Sequence, residues 1–579
     1  MAITKPHNAA FDAVGNRPRR PQPRPTKDLS WELANHVKSY LEAGEYTKGY
    51  GLLQSLLTAG ASISTPAKPY VGLLAPAAHI AFASSLVVYP PITTKATAID
   101  AIKGSDVALR YLHCIHNTIE GPAYKVVRKA LSFPEERSRR RAHAYKNGGG
   151  SPSPGAGGDV ERLEIKEADS LSIWHRADDF WHIVGWAFNC SVAHKNRWAR
   201  WKLWLEVMLD FLESDWNTCC EEAKRRGVEK DSILQSSLIW RYISSEQPTQ
   251  RPTRRRIVGA VLAMGSKSSL SHYPEIWTKE TADPKPRTDD SKPTATLDFE
   301  NGQLGDYASD DEDTLMLDAP RARARPRKSS VTSEECDKDT RRASDLDGVE
   351  MLGGRDSIQL RQRLIALLAR VAQELPEFFT RLEDFCDTYT ELLRADDMQT
   401  CVFSTLISTS RLSPMVQLAL NGNFLLTYVA SAPPNYFIHH PTQEHLEQEL
   451  LPLRATSQSF AHNAKISLIL ERMFLYMIRE NLVEFTSSLK EAVESGIEAR
   501  QNVYGSGKGR KGNAEEEEHS KILMTATSER LLGLVEVLAI ASGLEPPTRP
   551  RSQLDKSALL FSSFGSSLSS APESETEMD

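Results

Sequence analysis

Four side chains in the segment His175-Arg176-Ala177-Asp178-Asp179-Phe180-Trp181-His182 are of the types that acid–base and metal chemistry use. Read as one helix at 100° per residue, His175, Asp178, Asp179 and His182 share a sector. The two histidines are then seven residues apart, about 10 Å along the axis and too far to ligate one ion. The opposite sector carries Ile173, Ala177, Phe180, Trp181, Val184 and Phe188. The spacing therefore predicts an amphipathic helix whose His/Asp sector faces water or a partner. Exchanging both histidines for alanine should then leave stability nearly unchanged.

Other constellations carry less chemistry. His439, His440 and His445 could ligate a metal only with a further residue from elsewhere. GSGKGRKG (Gly505–Gly512) lacks the GxxxxGK[ST] spacing and a preceding strand, so it reads as a loop between helices. HKNRWARWKLW (His194–Trp204) mixes cations with aromatics, as some single-strand binders do. On a helix, Trp198, Trp201, Leu205, Met208, Leu209 and Leu212 form one stripe, and Lys195, Arg197, Arg200 and Lys202 flank it. That pattern reads as a buried face edged by snorkelling cations. The seven cysteines contain no CxxC, which argues against a disulfide framework or zinc module and for a reducing compartment. No GxSxG, HExxH or nucleophile–base pair is present, so no catalytic residue, metal site or cofactor is assigned.

The elements that would position these residues are helical. Residues 1–27 form a Pro/Arg-rich tail expected to be disordered, and helical periodicity runs over 28–133. A Gly/Ser/Pro-rich linker follows at 134–160. Residues 161–265 hold eight of the ten tryptophans, seven of them between Trp174 and Trp216, and should form helices near 167–192, 196–226, 231–245 and 255–265. A charged linker, expected to be disordered, spans 266–355, helices return over 356–545, and a Ser-rich acidic tail occupies 546–579. Almost no alternating strand pattern occurs. The fold class is all-α, with helical hairpins packed into two or three solenoid-like domains joined by long linkers. Val71–Val88 has nearly the length of a membrane span, but Pro76, His79 and its serines favour a buried helix ending near Val88.

Within residues 36–57, Tyr40, Gly44, Tyr46, Gly49, Leu53 and Leu56 fall near positions that tetratricopeptide repeats fill with similar residues. The stretch resembles such a repeat, which implies a helix–turn–helix pair with a short turn.

Helical blocks with solvated linkers point to a non-enzymatic adaptor that binds other proteins. RARARPRK supplies a candidate nuclear-import run at Arg321, Arg323, Arg325, Arg327 and Lys328, implying a nuclear or shuttling protein. Ser309, before Asp310-Asp311-Glu312, and Ser330 and Ser344, after basic residues, resemble kinase sites. The alternatives are direct nucleic-acid binding through the basic runs and the Trp-rich block, and membrane association through 71–88. The net charge of −6 does not favour nucleic acid.

Overall fold

The computed structural model describes residues 23–65, 67–96, 99–134, 162–227, 229–245, 247–282, 348–395, 398–430, 434–504 and 513–544. Of these, 69% are helical and 2% are in strands, so the chain is all-α as its periodicity predicts. The candidate import run, Ser309, Ser330, Ser344 and the Gly505–Gly512 loop lie outside the described residues.

The first block comprises β1 (Thr26–Asp28), α1 (Trp31–Glu42), α2 (Tyr46–Thr58), β2 (Gly72–Leu74), α3 (Ala77–Leu86), α4 (Ile99–Thr118) and α5 (Tyr124–Ala130). Ser30 caps α1 by accepting from the Leu33 N–H. Gly44 takes φ 77° between α1 and α2, a conformation that suits glycine. Gly49 lets α2 approach α1, because a Cβ there would sit 2.7 Å from Leu41 Cδ2. β1 pairs in parallel with β2, Thr26 opposite Gly72 and Asp28 opposite Leu74. This order begins inside the segment that composition assigns to the tail. Arg24 fixes it by donating to Leu57 O and, at 2.8 Å, to Ala59 O, carbonyls left open at the end of α2.

Val71–Val88 folds as β2 followed by α3, with Pro76 as the N-cap. No helix among the described residues is long and apolar enough to cross a membrane. His79 on α3 is fully buried and both its ring nitrogens lack a hydrogen-bond partner. Burial, aided by the Lys38 charge, lowers its pKa from 6.5 to about 4. The unfolded chain then binds the extra proton between those values, so stability falls as pH drops from 6.5 to 4. The loss from this one residue reaches about 3 kcal/mol at pH 4. His79→Leu is expected to raise the melting temperature and to flatten that part of the pH–stability curve. An unchanged pH profile would show that His79 finds a partner.

The second block comprises α6 (Ile173–Arg176), α7 (Phe180–Ala193), α8 (Lys195–Arg226), α9 (Lys230–Gln235), α10 (Leu238–Ile243), α11 (Arg251–Val261) and α12 (Lys267–His272). Trp174, Trp181, Trp186, Trp198, Trp201, Trp204 and Trp216 are all buried. Three of the rings meet in a row, Trp174–Trp204 tilted at 6.3 Å and Trp201–Trp204 edge-on at 5.8 Å. Residues 266–282 belong to this core rather than to the charged linker that composition suggests. Tyr273, Ile276 and Trp277 are buried, and Glu280 pairs with Arg197 at 2.5 Å. Tyr273 lies flat on α7 at Gly185, where a Cβ would fall within 2.3–2.7 Å of three ring atoms. Gly185→Ala should therefore destabilise the fold by about 2–3 kcal/mol through overpacking, measured by urea unfolding. A neutral result would mean that Tyr273 is free to swing away.

The third block comprises α13 (Arg355–Glu374), α14 (Leu382–Ala395), α15 (Thr400–Ser408), α16 (Pro414–Tyr428), α17 (Gln443–His445), α18 (Phe460–Arg479), α19 (Ser487–Gln501) and α20 (Asn513–Ala541). α18 and α20 pack along their lengths, with Arg530 donating to both oxygens of Glu471. α13 runs parallel to α8. Asp356 meets Lys202, Arg363 meets Asp210 and Glu213, and Arg370 meets Asn217. Asp356, Arg363 and Arg370 are seven residues apart, two turns, so they line one side of α13. Buried side chains of all three blocks join one hydrophobic cluster from Val37 to Leu538. Cys114, Cys190, Cys219, Cys220 and Cys386 are free thiols.

Candidate docking groove

The His/Asp segment is not one helix. α6 stops at Arg176, Ala177 is extended, and Asp179 starts α7 as its N-cap, accepting from the His182 N–H at 2.8 Å. Asp179 and His182 are buried, so the expected solvated or partner-facing sector does not form. His182 Nδ1 accepts from the Asp178 N–H at 3.0 Å, and its Nε2 donates to Pro274 O at 2.9 Å. Asp178 stays exposed, and His175 lies 3.3 Å from Asp169. The physical reason is that an Asp accepting backbone N–H groups competes with helix continuation. Alanine at 182 should consequently cost stability, against the expectation from the helical sector.

Asp179 has a second role. Its Oδ2 meets Arg256 of α11 at 2.5 Å. Arg256 belongs to RPTRRR (Arg251–Arg256), where Pro252 sits in the first turn, with its fixed φ and missing N–H. Ile257, Val258 and Val261 bury one face of α11, which turns Arg251 and Arg255 outward together, four residues apart. Both arginines reach Glu391 of α14, Arg251 with two contacts of 2.8 Å and Arg255 at 2.6 Å.

Between α11, α12 and α14 lies a groove of about 590 Å³. Leu262, Ala263, Met264, Leu392 and Gly259 give it an apolar floor, and the three arginines, Ser268 and His272 form its rim. Its size lies within the range of built ligand sites. Its α12 wall is held from below by Asn189, which is fully buried. Asn189 Oδ1 accepts from the Gly265 N–H at 2.9 Å and from Ser269 Oγ at 2.6 Å. Asn189 Nδ2 donates to Ser269 O and Tyr273 O at 3.1 and 3.3 Å. Arg361 of α13 braces the other end, donating to Val261 O at 2.5 Å and to Ala263 O at 2.8 Å. The floor is therefore rigid and the rim cationic. Gly259 adds no side chain to the floor and makes room for the Tyr273 hydroxyl, which a Cβ there would approach to 3.3 Å, closer than ordinary contact. Sequence reasoning passed over this site. The legible signal was a proline one residue into an arginine run with Arg251 and Arg255 at helical spacing.

The remaining candidates do not converge. His445 Nε2 bonds Tyr436 OH at 2.8 Å and its Nδ1 lies 3.3 Å from Glu449, while His439 and His440 are exposed. No group of three or more His, Cys, Asp or Glu suited to a metal occurs among the described residues. The tryptophan stripe faces the core, so it offers no surface for base stacking. No known family model, characterised protein or solved structure matches the chain.

Proposed function

We propose that this protein is a non-enzymatic helical adaptor of the nucleus whose partner proteins dock in the groove between α11, α12 and α14. The observation that carries the reading is the combination of a braced, open apolar floor with an arginine rim. Ser268, Ser269 and His272 also line the groove, but His272 Nδ1 donates to the Ser268 carbonyl at 2.7 Å and Ser269 Oγ donates to Asn189 at 2.6 Å, so the reading rests on shape, apolar surface and charge. The candidate run Arg321, Arg323, Arg325, Arg327 and Lys328 supplies the import signal, and Ser309, Ser330 and Ser344 are where phosphate would adjust the local charge. The test compares affinity capture by the wild-type chain with capture by Gly259→Met, which fills the floor. Partners retained by the wild type and lost by the variant, at equal melting temperature, support the reading. The same partner set on both overturns it.

A further inference from the structure

We infer that the groove recognises an acidic peptide: a partner segment with several Asp or Glu residues beside one apolar side chain. The inference rests on the adaptor reading above and names the chemistry of what docks. Its first ground is charge. Arg251, Arg255 and Arg256 stand on the rim; Glu391 meets the first two and Asp179 meets Arg256. Glu391 is shared between Arg251 and Arg255, so among the described residues one carboxylate serves this pair of guanidiniums. Both are at the surface, where ion pairs are weak and exchange readily with an incoming carboxylate. Arginine's planar fork also suits carboxylates, which it binds with two parallel hydrogen bonds.

The second ground is the floor. A nucleic-acid backbone needs an extended basic track with exposed rings for stacking. Here the groove is a short pocket whose lining combines the three arginines with Leu262, Met264 and Leu392. A single Leu- or Met-sized side chain entering beside Gly259 would cover that surface and bring the adjoining backbone level with the arginines. The third ground is Gly259 itself. Glycine inside a helix is unfavourable, and in α11 Gly259 lines the groove without adding a side chain to it.

The experiment uses the full chain and a fluorescent peptide of four alternating Asp and Glu residues followed by Leu-Ser-Leu, with anisotropy as the readout. Binding should weaken about 10-fold between 50 and 300 mM salt, because surface charge pairs are screened over roughly a Debye length. Arg251→Glu with Arg255→Glu should lower affinity at least about 10-fold, the scale of one to two lost charge-assisted bonds. Glu391→Gln removes the internal competitor and should raise affinity about 3- to 10-fold, a gain that a merely structural role for Glu391 would not produce. Gly259→Met should abolish binding. A peptide with Leu-Ser-Leu changed to Ser-Ser-Ser should bind at least about 10-fold more weakly, since the floor then gains nothing. Equal binding of a single-stranded oligonucleotide, or a Glu391→Gln variant that binds no better, overturns the inference. If the acidic peptide fails to bind while Gly259→Met still loses its captured partners, the peptide chemistry is wrong and the docking site stands. If capture is indifferent to Gly259→Met, the docking site itself is wrong.

Discussion

Glu280→Ala is expected to destabilise the protein by about 3–5 kcal/mol, because it leaves a buried guanidinium without its counter-ion. Arg197 and Glu280 are almost wholly buried and meet at 2.5–2.8 Å. Arg197 also donates to Val88 O at 2.9 Å beyond α3, and it lies 5.6 Å from the Trp201 ring centroid. Glu280 accepts from the Ile276 and Trp277 N–H groups at 3.0 and 3.3 Å. Burial raises its carboxyl pKa, while Arg197 and those two N–H groups pull it back. One ion pair thus joins the first block, α8 and the chain beyond α12. Urea unfolding of Glu280→Ala checks the size. A double change, Arg197→Met with Glu280→Leu, should recover much of the loss, since apolar residues often replace a buried pair at little cost. If the single and double variants are equally unstable, packing rather than charge is what Glu280 supplies.

Arg361→Ala is the second large effect, about 3–4 kcal/mol, from two buried carbonyls left unpaired. Arg361 is buried without a carboxylate among its described partners. It donates to Val261 O, Ala263 O and the Ser191 and Ser357 hydroxyls, and its guanidinium lies 4.2 Å from the Phe188 ring centroid. Burial lowers its pKa to about 9, so it stays charged at neutral pH. The end of α11 presents the negative pole of its dipole there, which suits a cation. Lysine at 361 should restore only part of the stability, because one ammonium cannot span the same acceptors. Because Ala263 also floors the groove, acidic-peptide affinity should fall alongside stability in Arg361→Ala. Unchanged affinity would uncouple the brace from the site.

Much of the architecture was legible because burial writes a period into the sequence. The stripe from Trp198 to Leu212 became the buried face of α8, and Ser30 and Gly44 mark the start of α1 and the turn after it. What was hidden was decided by single polar contacts. Asp179 breaks a periodic helix because capping α7 and meeting Arg256 outweigh continuation, and no pattern of apolar residues records that choice. Residues 266–282 look like linker because their apolar residues are few, yet Tyr273, Ile276 and Trp277 are large enough to anchor them. Arg24 ordered a stretch whose composition is that of a solvated tail. The groove was unreadable for another reason: Leu392 is 133 positions from Gly259, and only tertiary packing brings them together.

The parallel run of α8 beside α13 bears on how the chain reaches this state. All-helical proteins usually fold fast because their contacts are local. Here Lys202 waits for Asp356 and Glu213 for Arg363, partners separated by 154 and 150 positions. At ordinary synthesis rates of 5–20 residues per second, that interval takes about 8–30 s. During it the α8 surface that α13 later covers is exposed on the ribosome, long enough for chaperone capture. Newly made chains truncated before α13 should therefore be the aggregation-prone species, whatever the stability of the finished fold.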